Sequence, residues 1–303
     1  MERLWVRLPY LGCEGVGGSV QRMKILSFHP LYEGDHNILC AGREPDRTDL
    51  AAIKSADAVI LPQGCKPALY TMTTDNCRNV FPNYHARFKY PGKIGQSRLF
   101  METGVAHPRT ETFANIQTFT ERYGDMPGKA GFDFPFVAKF DWGGEGENVS
   151  CIQTAEQFQN FQLQAIRYER TGQTGFLLQE LVPAQGRVLR VTVIGHHMVS
   201  YWRLQEDPEA FYTNISKGAR IDTELDPNLQ AAGVMTTRYF CQKNRINLAG
   251  FDFLFSSDAL ADGVVEPLFL EINYFFGRRG LGGSENYYEL LQDAIQKWID
   301  DLA

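Results

Sequence analysis

Apolar positions along this chain fall into two patterns. Short runs broken by charge or glycine have the spacing of strands, and i, i+3, i+4 stripes have the spacing of helices. From Met23, residues 24–28 read as a strand, residues 48–56 as a short helix and residues 57–62 as a second buried strand. That order predicts a small parallel α/β unit. The character changes near Tyr90-Pro91-Gly92-Lys93, where a helix is expected to run to Thr103, with Gly104 as its stop and Pro108 soon after. Residues 134–140 and 149–152 predict a hairpin with a glycine-rich tip. Thr154-Ala155-Glu156-Gln157 reads as a capping box, opening a helix that buries Phe158, Phe161, Ala165 and Tyr168. Strands are expected at residues 176–182, 188–194 and 198–204, then a helix capped by Asp226 with Pro227 in its first turn. A closing helix from Ser284 carries Tyr287, Leu290, Leu291, Ala294, Ile295, Trp298 and Leu302 as its apolar stripe.

Two runs break the pattern. In residues 248–255, Asp252 sits between two phenylalanines. In residues 268–273, alternation puts Leu268, Leu270 and Ile272 on one face and Glu271 and Asn273 on the other. An unpaired carboxylate in such surroundings costs several kcal/mol, so it must meet a cation or neutralise. Two carboxylates and an amide oxygen on neighbouring strands suit Mg²⁺ shared with a phosphate. Equally, both acids could pair with Arg278 or Arg279, or lie at solvated strand ends.

A chain of 303 residues exceeds what one compact core needs, so two or three subdomains are expected. The net charge of −6, without a basic run, argues against nucleic acid as partner. No apolar stretch approaches the ~20 residues of a membrane span, and no signal-peptide pattern opens the chain. Six scattered cysteines without metal spacing fit reduced thiols and a cytoplasmic location. No base is apparent for Cys65 as a nucleophile. Residues 1–22 fit poorly with the rest of the chain. Their glycine-rich stretch lacks the Gly-Lys-Ser/Thr ending of a phosphate loop, and a disordered leader is expected.

The hairpin tip is the clearest candidate for anion chemistry. Gly143, Gly144 and Gly146 tolerate positive φ, so backbone N–H groups can approach a phosphate, and Lys139 precedes them within an apolar strand. The ordered series is Lys93, Lys139 with the glycine loop, Gln179-Glu180-Leu181-Val182, Arg190, Asp252, and Glu271-Ile272-Asn273. It resembles the ATP-grasp superfamily, nearest the ribosomal-protein glutamate-ligase and glutathione-synthetase-like branch, over roughly residues 85–303.

The resemblance implies an α+β and α/β architecture, with two α+β subdomains clasping ATP behind a small parallel pre-ATP-grasp domain. The implied division is residues 23–92 for that domain, 93–183 for the small subdomain with the glycine loop, and 184–303 for the subdomain with the metal site. Lys93, Lys139, Gly143, Gly144 and Gly146 would hold the phosphates, with Asn214 nearby. Gln179, Glu180, Leu181 and Val182 would form the adenine hinge. Asp252, Glu271 and Asn273 would bind one or two Mg²⁺ (or Mn²⁺) ions, and Arg190 would be the catalytic group on the transferring phosphoryl. Arg203, Arg278 and Arg279 are assigned to substrate. The implied reaction joins a small-molecule or peptide carboxylate to an amine or thiol through an acyl phosphate, and a homodimer is compatible with the superfamily. Two departures stand out. Relatives often carry an acid, able to meet the ribose, where this chain has Val188. After Glu-x-Asn this chain continues into a loop with Arg278-Arg279 instead of the usual Ser/Pro-Gly.

Overall fold

The computed structural model describes residues 23–40, 42–124, 126–143, 148–205 and 218–302. The expected leader at 1–22, and Gly144, Gly146 and Asn214, lie outside them. A first, all-parallel sheet is built from β1 (Ile25–Ser27), β2 (His36–Asn37), β3 (Ala58–Ile60) and β4 (Asn79–Phe81), in the order β2-β1-β3-β4. The connecting helices are α1 (Arg47–Ser55) and α2 (Pro67–Asn76). Helix α1 starts on a full capping box: the Asp46 side chain accepts from the Thr48 and Asp49 amides, and Asp49 accepts from the Asp46 amide. The strand–helix–strand unit read from the sequence is thus present.

The chain then passes through α3 (His85–Lys89) and α4 (Gly92–Thr103), which ends on Gly104 at φ 72°, the left-handed stop expected there. A second, antiparallel sheet of order β5-β8-β6-β7 comes next. It contains β5 (Thr110–Phe113), α5 (Ile116–Tyr123), β6 (Phe136–Phe140), β7 (Val149–Ile152), α6 (Ala155–Glu169) and β8 (Phe176–Glu180). Period-two alternation divides its side chains. Phe136, Ala138, Phe140, Phe176 and Leu178 enter an aromatic core with Phe119, Phe158 and Phe161, while Lys139, Leu177 and Gln179 face the other way. The α6 cap is half of the predicted box. Thr154 accepts from the Gln157 amide, but the Gln157 side chain accepts from Gln153, one residue outside the cap.

The third sheet, β11-β10-β9-β12-β13, is antiparallel. It comprises β9 (Arg187–Ile194), β10 (His197–Leu204), β11 (Arg220–Asp222), α7 (Pro227–Asn244), β12 (Leu248–Leu254), α8 (Ser257–Ala261), β13 (Leu268–Asn273) and α9 (Ser284–Asp300). Asp226 precedes α7, but its side chain makes no cap hydrogen bond and pairs with Arg187 instead. The stripe of α9 buries Tyr287, Leu291, Ala294 and Ile295 in one cluster with Ile25, Ile60 and Phe81 of the first sheet and Ile194 and Leu248 of the third. It therefore acts as a wedge between the two. Helix α4 shares a core with the third sheet, Phe100 lying 5.3 Å from Phe269 and 5.9 Å from Phe240 between ring centroids.

The sequence alternation fails at one place. Asp252 pairs with Glu271 but Phe253 with Phe269, so Leu270 is an extra residue on β13. Instead of Leu268, Leu270 and Ile272 sharing the core face, Phe269 and Ile272 are buried there, and Leu270 turns with Glu271 toward a cavity.

Candidate functional site

That cavity lies between the second and third sheets under α4. It is lined by Lys93, Gln96, Ser97 and Phe100 of α4, Thr110, Lys139, Leu177 and Gln179 of the second sheet, and Leu270 and Glu271 of β13. The second-sheet members share a face by register, since Lys139 pairs with Leu177 and Thr110 with Gln179. Lys139 is 8% exposed, and its ammonium has no hydrogen-bond or ion-pair partner among the described residues. Burial pushes its pKa down to about 8 even though Glu271 pulls the other way. Lys93 is also pushed down by burial, and its Nζ donates to the carbonyls of Trp142 (3.0 Å) and Gly143 (2.8 Å) at the root of the glycine loop. Gly143 has φ 82°, a value that favours glycine.

The hinge candidates differ among themselves. Gln179 donates to Thr110 Oγ1 at 2.9 Å, and the Glu180 carboxylate accepts from the Arg109 amide at 2.7 Å. Leu181, just past the end of β8, is 36% exposed, and neither it nor Val182 has a backbone hydrogen bond among the described residues. Their N–H and C=O groups are thereby open to a ligand edge.

The third sheet carries a closed cluster. Register aligns Tyr201, Arg190, Asp252 and Glu271 in one row across β10, β9, β12 and β13. Arg190 holds Asp252 with two bonds (2.5 and 2.9 Å), Arg203 adds a third at 2.8 Å, and Asn273 Nδ2 donates at 3.1 Å. Burial opposes the Asp252 carboxylate, yet the two arginines hold its pKa below the usual range. Gly250 leaves the room this needs, since a Cβ there would lie 3.1 Å from Arg190 Nη1. Asp252 thus meets cations, as a buried acid must, but from β9 and β10 and not from Arg278 or Arg279. Its oxygens are taken, so as metal donors β13 offers Glu271, which has no partner among the described residues, and Asn273 Oδ1, which has none there either. Arg278 stacks over Tyr287 and Tyr288 at 4.7 and 4.5 Å and bonds the Tyr288 hydroxyl, while Arg279 is exposed.

Several residues of this site went unmarked in the sequence. Gln96 both donates to the Ile272 carbonyl and accepts from its amide, each at 2.8 Å, fixing α4 to β13. Ser97 Oγ is buried in the cavity wall without a partner among the described residues. Asp141 Oδ1 accepts from the Ile94 amide at 2.7 Å, supplying the cap that Pro91 cannot. The legible signal was a helix beginning after Pro-Gly with no Ser, Thr, Asp or Asn to cap it. Cys65 is buried, and its thiol is pushed up to about 12 by that burial, so it offers no nucleophile.

No protein-family model matches the chain, and no curated protein matches it. Solved structures do. The VanG D-Ala:D-Ser ligase of Enterococcus faecalis matches at TM-score 0.59 with 13% identity, over 80% of this chain and 73% of that one. A RimK domain ATP-grasp protein of Sphaerobacter thermophilus matches at TM-score 0.53 with 13% identity, over 80% of this chain and 81% of that one. An ADP complex of N5-carboxyaminoimidazole ribonucleotide synthetase matches at TM-score 0.54 with 11% identity, over 82% of this chain. This chain spans 62% of that synthetase's length. The fold is the ATP-grasp fold. At these identities the likeness reaches the fold and no further.

Proposed function

We propose that the chain is an ATP- and Mg²⁺-dependent ligase that activates a substrate carboxylate as an acyl phosphate for attack by an amine or thiol. One observation supports the reading above the rest: Lys93, Lys139 and Glu271, from a helix and two different sheets, converge on one cavity where the Lys139 ammonium makes no hydrogen bond or ion pair among the described residues and burial outweighs the pull of Glu271. A buried ammonium that no anion contacts directly is unfavourable until one does. Phosphate oxygens would supply it, with the glycine loop, including Gly144 and Gly146, closing over them and Leu181 and Val182 meeting the base. Glu271 and Asn273 would hold the metal, which neutralises phosphate charge when bound. Arg190 and Arg203, already anchored on Asp252, would present positive charge beside the reacting groups, and Arg278 and Arg279 would take the substrate carboxylate. The division at residues 92 and 183 belongs to the same proposal.

The test is ADP release from ATP and Mg²⁺ with amino-acid and peptide mixtures. Glu271→Ala should reduce it by about 10²–10³-fold, the scale of losing a group that stabilises the transition state. Absence of ATP binding at millimolar nucleotide would sink the proposal. A second reading, a nucleotide-binding protein without ligation, is favoured by the closed Arg190–Asp252–Arg203 cluster. It would show ATP-dependent stabilisation with no turnover on any carboxylate. A stable phosphorylated product without free phosphate would indicate a small-molecule kinase instead.

A further inference from the structure

A separate set of ligand-type side chains lies on the third sheet, where the turn between β9 and β10 meets α9. Ile194 pairs with His197, so Gly195 and His196 form a two-residue turn, and only Gly195 (φ 60°) of the two has positive φ. Glycine is required there twice over. A Cβ at 195 would lie 2.6 Å from the Ala294 Cβ, so any side chain would lift the turn off α9. Pressed against the helix at Ala294, the turn brings both histidines to the preceding helix residue, Asp293. His197 Nε2 lies 2.8 Å and His196 Nε2 3.2 Å from the same Asp293 oxygen, and the two rings lie tilted at 38° with centroids 3.9 Å apart.

Three potential ligand atoms, one from each residue, thus stand within 4.8 Å of one another. Tetrahedral coordination at ~2.0–2.1 Å places ligand atoms about 3.3 Å apart, so small side-chain rotations would suffice to close them on an ion. We propose that His196, His197 and Asp293 form a surface site for a borderline transition-metal ion of the Zn²⁺ or Cu²⁺ type. Two imidazole nitrogens and one carboxylate oxygen favour such ions over Mg²⁺, and water completes the coordination. The ion bridges residues 96 apart in sequence, clamping the hairpin that carries Arg190 and Arg203 to the closing helix. Nothing in this site depends on the function of the cavity.

The experiment uses the full chain without nucleotide. Equilibrium dialysis against Zn²⁺ should give one ion per chain, and saturating Zn²⁺ should raise Tm by about 2 °C or more, reversed by EDTA. Both effects should vanish in Asp293→Asn and in the double variant His196→Asn/His197→Asn, whose Tm in EDTA matches the parent's. Cu²⁺ added to the parent chain should show paramagnetic coupling to two nitrogens. No saturable uptake up to about 1 mM Zn²⁺ would overturn the proposal, as would uptake undiminished in the double variant. Should the variants fail to fold, the Cu²⁺ spectrum of the parent decides alone, and a signal without two-nitrogen coupling overturns the site.

Discussion

Lys139 and Asp252 are comparably buried, at 8% and 3% exposure, yet their surroundings are opposite. Around Asp252, two guanidiniums and an amide take up the carboxylate, leaving a charged group that is costly to disturb. Around Lys139 no side chain among the described residues makes a hydrogen bond or ion pair with it, and burial holds the ammonium well below its ordinary pKa of 10.5 despite Glu271. The first arrangement is a closed shell within a sheet, and the second leaves a deficit that an anionic ligand would relieve under the proposed function. A polar residue in an apolar strand therefore does not by itself mark a binding group. What distinguishes the two is whether neighbouring strands complete its shell.

Three measurements test that contrast. Asp252→Asn should cost the most, about 3–5 kcal/mol in denaturant unfolding, because two buried arginines lose their anion. A loss under ~1 kcal/mol would mean the cluster is not a closed unit. Lys139→Met should act with the opposite sign, stabilising the ligand-free protein by roughly 2 kcal/mol at pH 7 while removing ATP affinity. Destabilisation there would show that Lys139 is satisfied after all. The pH response is the smallest effect. Between pH about 8 and 10.5 the unfolded chain binds more protons at this lysine than the folded one. Its cost is therefore full below pH 8 and relieved as pH rises through that window. Nucleotide affinity should run the other way, about tenfold weaker at pH 9 than at pH 7, with Lys139→Met insensitive over the same range.

Much of the fold was legible because burial obeys the two regular periods. Helix α4 stops at Gly104 and α9 starts at Ser284 as the pattern predicts. The misreadings are positions where one residue's environment comes from a distant segment. The alternation through Leu268, Leu270 and Ile272 assumed an unbroken ladder, and a single inserted residue opposite β12 rotated Leu270 out of the core. Asp226 has the sequence context of a cap, but Arg187, 39 residues upstream, takes its carboxylate. Among the candidate site residues, Lys93, Lys139, Gln179 and Glu271 line one cavity, whereas Arg203's partner is set by a register across three strands that no local pattern contains. Gln96 looked like an ordinary helix residue, and only the approach of Ile272 gives it two bonds.

The Asp141–Ile94 bond has a consequence in time as well as in space. The acid that completes the first turn of α4 belongs to the end of β6, at the root of the glycine loop. Any movement of β6 away from α4 must uncap that turn, so separation of the second sheet from this helix and fraying of the helix end would be one event. The Ile94 amide is then a reporter of that separation. Its hydrogen exchange should slow when nucleotide closes the cavity, and should speed up roughly five- to tenfold in Asp141→Ala, the kinetic equivalent of about 1 kcal/mol of lost capping.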